Sequence, residues 1–501
     1  MSRWTFAEDL AAAAVHHPDR TAIVTPDGSI SFGELDERAS NLAHVLIERG
    51  IERGDRVATI LPNGIDAAVA VYGVLRAGAA FSPINPSIKR DRLGQLLTNL
   101  RPKVALCDPE RAETVTAAAE QVGGVTVLSS LDEPASERQP IAPPLEVDLA
   151  AIIYTSGSTG VAKGVTLSHR NMSFVADSII AYLDLDDEDR VLCVLPLSFN
   201  YGLYHLLMCV RVGALLVLEP GFGFPGRIVK LLQDERITLF PAVPTIHQAL
   251  VGLNGLRERS FPDLRLLTNA GAALPEATVT AVRETFPDAS LLLMYGLTEA
   301  TRVAFLPPEL VDAKPTTVGN PIPGTEMWIE DEDGRVLGSG EVGELIVRGP
   351  HVMQGYWNDP EGTAEKLRPG RWPWERVLAT NDLFRMDVDG HFSFVGRRDD
   401  VIKSRGEKIA PREVEEALYL LPGVHEAAVV GVPDKLLGEA VHAHVVAVEG
   451  TTLDPNTVRR LCAERLEEHK VPRRVLVHEQ SLPRTANGKV DRAALVRAST
   501  E

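Results

Sequence analysis

Cysteines, aromatic residues and long apolar runs are all scarce in this chain, and each shortage removes a class of protein. The four cysteines, Cys107, Cys193, Cys209 and Cys462, stand far apart and none belongs to a C-x-x-C pair. That scatter excludes a zinc ribbon and a secreted disulfide framework, and leaves reduced, buried thiols in a cytoplasmic enzyme as the expectation. No run of about 18 apolar residues occurs, so no helix spans a bilayer. Residues 1–20 lack the basic stretch and apolar core of a secretory signal. Basic residues are also in deficit: 51 Lys and Arg against 69 Asp and Glu give a net charge of −18. A nucleic-acid partner would call for the opposite balance. Phosphate-bearing small molecules stay open, because local amides and a few side chains hold them.

What is present is an ordinary globular composition, 45% hydrophobic and 24% charged over 501 residues, long enough for about three domain-sized units. Short apolar strands alternate with amphipathic helices: Arg56 to Leu61 reads as a strand and Ile65 to Arg76 as a helix. The alternation is most regular in Val191–Pro196, Ala214–Leu218, Ile237–Pro241, Leu264–Thr268 and Leu291–Tyr295, with a helix expected over Pro275–Phe286. Such repeated units predict parallel sheets covered by helices. Near Pro323 the pattern turns antiparallel, with hairpins expected around Asp333-Gly334 and Asp389-Gly390. After Gly396 a smaller α+β pattern follows: helix Pro411–Leu421, strand Val441–Val448 and helix Asn456–His469. The proline-rich stretch Pro134–Pro144 reads as a surface connection. The expected fold class is α/β: a large N-terminal domain, residues 1–397, of parallel-type sheets covered by helices. It includes a β-rich subdomain over about 323–397, and a small mobile α+β domain follows over 398–501.

The strongest chemical signal is the run Tyr154-Thr155-Ser156-Gly157-Ser158-Thr159-Gly160-Val161-Ala162-Lys163-Gly164, which leaves an apolar strand as a loop. Glycines admit a phosphate close to the backbone, hydroxyls donate to its oxygens, and Lys163 adds charge. A P-loop does not fit, since Ala162 stands at its second glycine position and Gly164 follows the lysine.

With four further blocks, this loop resembles the adenylate-forming superfamily of acyl-CoA synthetases, luciferases and peptide-synthetase adenylation domains. The blocks follow in the family's order: Asn269 to Pro275, Tyr295-Gly296-Leu297-Thr298-Glu299, Thr380-Asn381-Asp382 with Gly396 to Lys403, and Pro483 to Arg492. The resemblance implies that Thr155, Ser156, Gly157, Ser158, Thr159, Gly160 and Lys163 hold the ATP phosphates. Gly271, Ala272, Tyr295 and Gly296 would also bind ATP, with the adenine stacked on Tyr295, and Asp382 and Arg397 would hold the ribose. Thr298 would reach the α-phosphate and Glu299 would hold Mg²⁺, a hard cation that prefers oxygen ligands. Lys489 would be the catalytic lysine, stabilising the charge that gathers when a carboxylate meets the α-phosphorus. Where the family has glycine this chain has Asn381, which tolerates positive φ. The resemblance also implies a hinge at Asp399, with Lys403 and Gly406 meeting a pantetheine arm in a second step.

The acid pocket is expected at Phe199, Asn200, Tyr201 and Gly202, beside Gly271 and Ala272. Asn200 is neutral where activators of α-amino acids carry an aspartate, which disfavours a free α-amino acid. His205 and His169 read as packed structural histidines. The leading expectation is a carboxylic acid–CoA ligase, using ATP, Mg²⁺ and CoA, acting on an aliphatic fatty acid. The alternative is a stand-alone adenylation enzyme that loads an aryl, acyl or amino acid onto the phosphopantetheine of a separate carrier protein. The lysine motif comes shortly before Glu501 with no carrier segment behind it, so the acceptor is expected to be a separate molecule. A luciferase-like oxygenase and a non-catalytic nucleotide sensor are the remaining rivals. The sensor would be expected to lack Lys489 or Glu299.

Overall fold

The computed structural model describes residues 5–138, 140–155, 162–404, 407–434, 437–448, 450–485 and 490–500. Among them the named strands form four sheets. The largest places strand Leu266–Asn269 between Leu239–Ala242 and Ser290–Tyr295, parallel to both. These strands are apolar at nearly every position and buried on both faces, as a parallel sheet covered by helices requires. Antiparallel pairs close its edges: Ser290–Tyr295 with Ala304–Leu306, and Thr21–Thr25 with Gly28–Ser31. A second sheet runs parallel through Arg56–Ile60, Ala80–Pro83 and Leu149–Thr155, then turns antiparallel at Lys163–Ser168. The N-terminal part is therefore an α/β domain of mixed sheets, parallel inside and antiparallel at the margins.

Helix Ile65–Arg76 has the limits its sequence predicted, and its residues Ala67 to Leu75 are all buried. A helix apolar on every side belongs inside. Helix Asn200–Val212 is fixed by an ion pair in the core: Arg211 Nε donates to Asp9 at 2.7 Å and Nη1 to Asp177 at 2.8 Å. This pair ties the helix to Phe6–His16 and to His169–Leu183. It sets where the first turn of Asn200–Val212 lies, and that turn carries the expected acid pocket.

The β-rich region is a five-stranded antiparallel sheet that includes Glu326–Glu330, Val342–Arg348, Arg376–Met386 and Phe392–Arg397. The Asp389-Gly390 hairpin is present, with Gly390 at φ +83°. The Asp333-Gly334 turn also forms, but Arg335–Leu337 contributes a single bridge, Val336 to Glu330, and no strand. Strand Val342–Arg348 takes the pairing positions of Glu326–Glu330 instead. One helical turn, Arg398–Asp400, carries the chain into the smaller C-terminal α+β domain. Its sheet pairs Val424–Asp434 with Gly438–Ala447, backed by helices Pro411–Tyr419 and Pro455–Ala463. The helix expected over Asn456–His469 stops at Ala463 and resumes only as a turn at Glu468–Lys470. Glu464, Glu467 and Glu468 crowd what would be its C-terminal end, where the helix dipole disfavours negative charge.

All four cysteines are buried and unpaired. Among the described residues no helix is long and apolar enough to cross a membrane.

Candidate active site

Strand Leu149–Thr155 and strand Lys163–Ser168 are antiparallel partners, with Thr155 opposite Lys163 and Tyr154 opposite Gly164. Ser156, Gly157, Ser158, Thr159 and Gly160 lie outside the described residues, between these two anchors. The next described element after strand Leu149–Thr155 is a strand, Lys163–Ser168, and not a helix. A P-loop leads into a helix, so the topology agrees with the sequence in rejecting one. Lys163 Nζ stands 4.9 Å over the Tyr356 ring and 3.6 Å from Asp359. The Tyr356 hydroxyl donates to Glu299 Oε1 at 2.7 Å, so one tyrosine links the loop's lysine to the expected metal ligand. Burial and the Glu299 carboxylate push that hydroxyl well up, which keeps it a donor.

Two of the predicted blocks sit at the carboxyl ends of strands in the large sheet, where open α/β sheets bind ligands. Gly271, at φ +85°, and Ala272 follow strand Leu266–Asn269, and Asn269 Nδ2 donates to the Ala272 carbonyl at 3.0 Å. Gly296 to Glu299 follow strand Ser290–Tyr295. At Gly296 a Cβ would lie 2.1 Å from the Thr301 carbonyl oxygen, so only glycine lets the chain fold back there. Thr301 completes that reversal at φ +57°, a strained conformation for a β-branched residue.

The expected ribose end is also assembled. Asp382 is 6% exposed and accepts from the Tyr295 hydroxyl at 2.6 Å and from Arg397 Nε at 3.1 Å. A carboxylate has about four lone-pair sites, so acceptor capacity remains for a ligand. Burial and then Asp382 push the Tyr295 hydroxyl up. Burial alone would lower Arg397, and the Asp382 carboxylate outweighs it. Asn381 adopts φ +66°, the conformation expected of the residue replacing glycine. Its Nδ2 donates to Asp399 at 2.6 Å and its backbone N–H to Glu344 at 2.9 Å. Sequence reasoning missed Lys366, whose Nζ donates to the Thr380 carbonyl at 3.3 Å. Burial lowers this ammonium against the pull of Glu299, Glu344 and Asp382. Nothing in its polar stretch, Glu361 to Lys366, sets this lysine apart from a solvated one.

Where the acid pocket was expected, Phe199 caps helix Asn200–Val212 and Gly202 fits under Pro196, whose carbonyl would lie 2.4 Å from a Cβ there. Asn200 Nδ2 reaches the Thr298 carbonyl at 3.4 Å and Thr301 Oγ1 at 3.3 Å. The Tyr201 hydroxyl pairs with Thr268 Oγ1 at 2.7 Å. His205 is buried, and burial pushes it down to about 3, so it is neutral and packed rather than an active base. His169 is likewise buried and held down to about 4. Arg302, which the sequence did not single out, lies with its guanidinium 5.0 Å from the Tyr201 ring centre.

Asp399 and Lys403 line a cleft of about 840 Å³ with Asn381, Arg398 and Glu439. Lys403 is held by its backbone N–H, which donates to Glu439 at 2.7 Å. Gly406 and Lys489 lie outside the described residues. A separate acid cluster, Asp387, Asp389 and His391, already holds a cation: Lys314 Nζ lies 2.6, 2.6 and 2.9 Å from the three.

Residues 10–357 match the AMP-binding enzyme family, and residues 413–489 match the AMP-binding enzyme C-terminal domain. The chain belongs to the AMP-binding enzyme family and is an ATP-dependent, adenylate-forming ligase.

Its similarity to a feruloyl-CoA synthase of an Amycolatopsis species is 34% identity over 94% of each chain. It is 31% identical to the L-proline–[L-prolyl-carrier protein] ligase of Pseudomonas fluorescens over 98% of each. It is also 33% identical over 95% of its length to a linear gramicidin synthase polypeptide of Brevibacillus parabrevis, and spans only 6% of that protein. Against the crystal structure of ATP-bound MatB from Rhodopseudomonas palustris the TM-score is 0.91, at 31% identity over 99% of each chain. Against apo MatB from the same organism it is 0.81, at 30% identity over 100% of this chain and 99% of the other. The arrangement here is thus nearer the ATP-bound form.

Proposed function

We propose that this ligase activates an aryl carboxylic acid as its acyl-adenylate and transfers the acyl group to a phosphopantetheine thiol, of CoA or of a carrier protein. The observation that carries the reading is the wall of the acid side, made of Tyr201, the neutral Asn200 and the buried Arg302. No carboxylate stands there, among the described residues, to receive an ammonium, and Arg302 repels one. The aromatic and polar wall suits a substituted ring better than a bare aliphatic chain, so the fatty-acid expectation gives way to the aryl alternative. A relative named as a feruloyl-CoA synthase supports the same shift.

In the first step a carboxylate oxygen attacks the α-phosphorus and the bond to pyrophosphate breaks. Thr155, Lys163 and the intervening loop hold the phosphates, Asp382 accepts the ribose hydroxyls, and Thr298 donates to the α-phosphate. Lys489 neutralises charge on the phosphoryl oxygens as it develops. Glu299 fits Mg²⁺ as a hard oxygen donor, since that ion asks for one or two carboxylates beside substrate phosphates and waters. When bound there, the ion supplies charge neutralisation. In the second step the thiol attacks the acyl carbon and AMP departs. Residues 1–397 and 398–501 act as two bodies about Asp399, with Lys403 and Gly406 beside the incoming thiol.

The test is acid-dependent exchange of pyrophosphate into ATP over matched aryl, aliphatic and amino acids, followed by trapping with CoA or a holo carrier protein. Exchange strongest with aryl acids, and release of adenylate to either thiol, is the expected result. Exchange confined to aliphatic or amino acids refutes the aryl assignment.

A further inference from the structure

Arg302 is a buried cation without a counter-ion. It is 4% exposed, its Nε has no hydrogen-bond partner, and no carboxylate pairs with it among the described residues. The other deeply buried arginine in the same domain shows what the fold normally supplies: Arg211 is answered by Asp9, Asp177 and the Ser173 carbonyl. Around Arg302 the neighbours are Tyr182, Tyr201, Tyr204 and His205, and none is negative. Burial pushes the Tyr182 hydroxyl up to about 12 and His205 down to about 3, so these groups stay neutral. Two further buried polar atoms nearby, Asn200 Oδ1 and His205 Nε2, also lack partners. Asn200 is joined to Thr301, the residue before Arg302, and His205 is tilted against Tyr201 at 5.4 Å.

A charge without a counter-ion taken out of water is strongly unfavourable unless something compensates it, and the Tyr201 ring contact together with a hydrogen bond to the neutral Tyr182 hydroxyl offsets little of that cost. The strained φ of Thr301 is part of what turns Arg302 inward, so the arrangement costs the fold twice. A bound anion compensates the charge. We propose that Arg302 receives a second anionic group on the acid, so that the substrates are carboxylic acids bearing a further carboxylate on the ring or side chain. The guanidinium forks onto that carboxylate in bidentate fashion. Asn200 Oδ1 is left to accept from a hydroxyl or amide N–H of the same molecule. One end of Asn200 touches the Thr298 carbonyl and Thr301, so it bridges the reacting and recognising ends of the acid. The inference rests on the adenylation of an aryl acid proposed above, and adds to it which acids are chosen.

The test compares matched pairs, an aryl monocarboxylic acid and the same ring with a second carboxylate, by acid-dependent pyrophosphate exchange. Wild type, Arg302→Leu and Arg302→Lys are measured, each checked for a cooperative thermal unfolding transition no lower than that of wild type. Wild type is expected to favour the dicarboxylate at least about ten-fold in kcat/KM. Arg302→Leu is expected to lose about 100-fold on the dicarboxylate and at least about ten-fold less than that on the monoacid, so that the preference for the dicarboxylate disappears, because it removes a paired group in a dry site. Arg302→Lys, which keeps the charge but not the fork, should fall between. A wild-type preference for the monoacid, or an equal loss on both acids in Arg302→Leu, overturns the inference while leaving aryl-acid adenylation intact. Failure of wild type to exchange with any aryl acid overturns both.

Discussion

Replacing Asn381 by glycine separates the two jobs this residue does. Its backbone sits at φ +66°, where glycine carries no steric penalty, so the substitution relieves about 0.5–1 kcal/mol of strain. The same change deletes the 2.6 Å hydrogen bond from its amide to Asp399. That bond is exposed and worth about 0.5–1.5 kcal/mol. The two effects nearly cancel in the stability of the folded chain, so the melting temperature is expected to move by no more than about 2 °C. They do not cancel at the hinge. Asn381 belongs to the β-rich sheet and Asp399 to the single turn that leads out of it, so the bond holds the C-terminal domain in the present arrangement. In the proposed account of two bodies turning about Asp399, the bond favours the orientation of the first step. Losing about 1 kcal/mol of preference redistributes the two orientations about five-fold. The assay measures the two half-reactions apart, pyrophosphate exchange for the first and thioester formation from supplied acyl-adenylate for the second. Asn381→Gly is expected to raise the ratio of second-step to first-step rate by about two- to five-fold. Asn381→Asp, which sets a carboxylate against Asp399, should raise it further. A ratio unchanged in both variants, or a parallel fall of both rates, refutes the latch.

Two other perturbations test how the site is held. Asp9→Ala strips the buried Arg211 of its fully buried partner and is expected to cost about 3–5 kcal/mol in urea unfolding, against less than about 1 if the pair is dispensable. Lowering pH should destabilise the chain through its buried histidines. His169, His247 and His351 are pushed down to about 4 by burial, and His205 to about 3. The unfolded chain binds protons at these positions below about 6.5 while the folded one does not. Their contribution is therefore complete above about 6.5 and is lost as pH falls toward 4, by up to about 1.4 kcal/mol per pH unit for each histidine. Urea midpoints at pH 7.5, 6 and 5 read this directly, and midpoints that do not fall with pH contradict it.

Most of the fold was legible because it rests on local pattern. Helix Ile65–Arg76 and the strands ending at Asn269 and Tyr295 follow from apolar periodicity and from glycines at their ends. The two misread elements failed for different reasons. Arg335–Leu337 lost its pairing to a strand further along the chain, which local pattern cannot weigh. The helix from Asn456 was cut short by a run of glutamates that periodicity alone ignores. At the site, motif residues such as Asp382, Arg397, Glu299 and Tyr295 were readable because they fall in ordered blocks. Arg302, Lys366 and Tyr356 were not, because their roles come from what the fold sets beside them. Arg302 in particular reads as an ordinary charge until its burial and missing counter-ion are seen.

The central claim, that the chain forms an acyl-adenylate with Lys489 neutralising the reacting phosphate, is tested most directly by Lys489→Ala in the two half-reactions. The account predicts that pyrophosphate exchange falls by at least about 100-fold, while thioester formation from supplied acyl-adenylate stays within about three-fold of wild type. Exchange at the wild-type rate in this variant would contradict it.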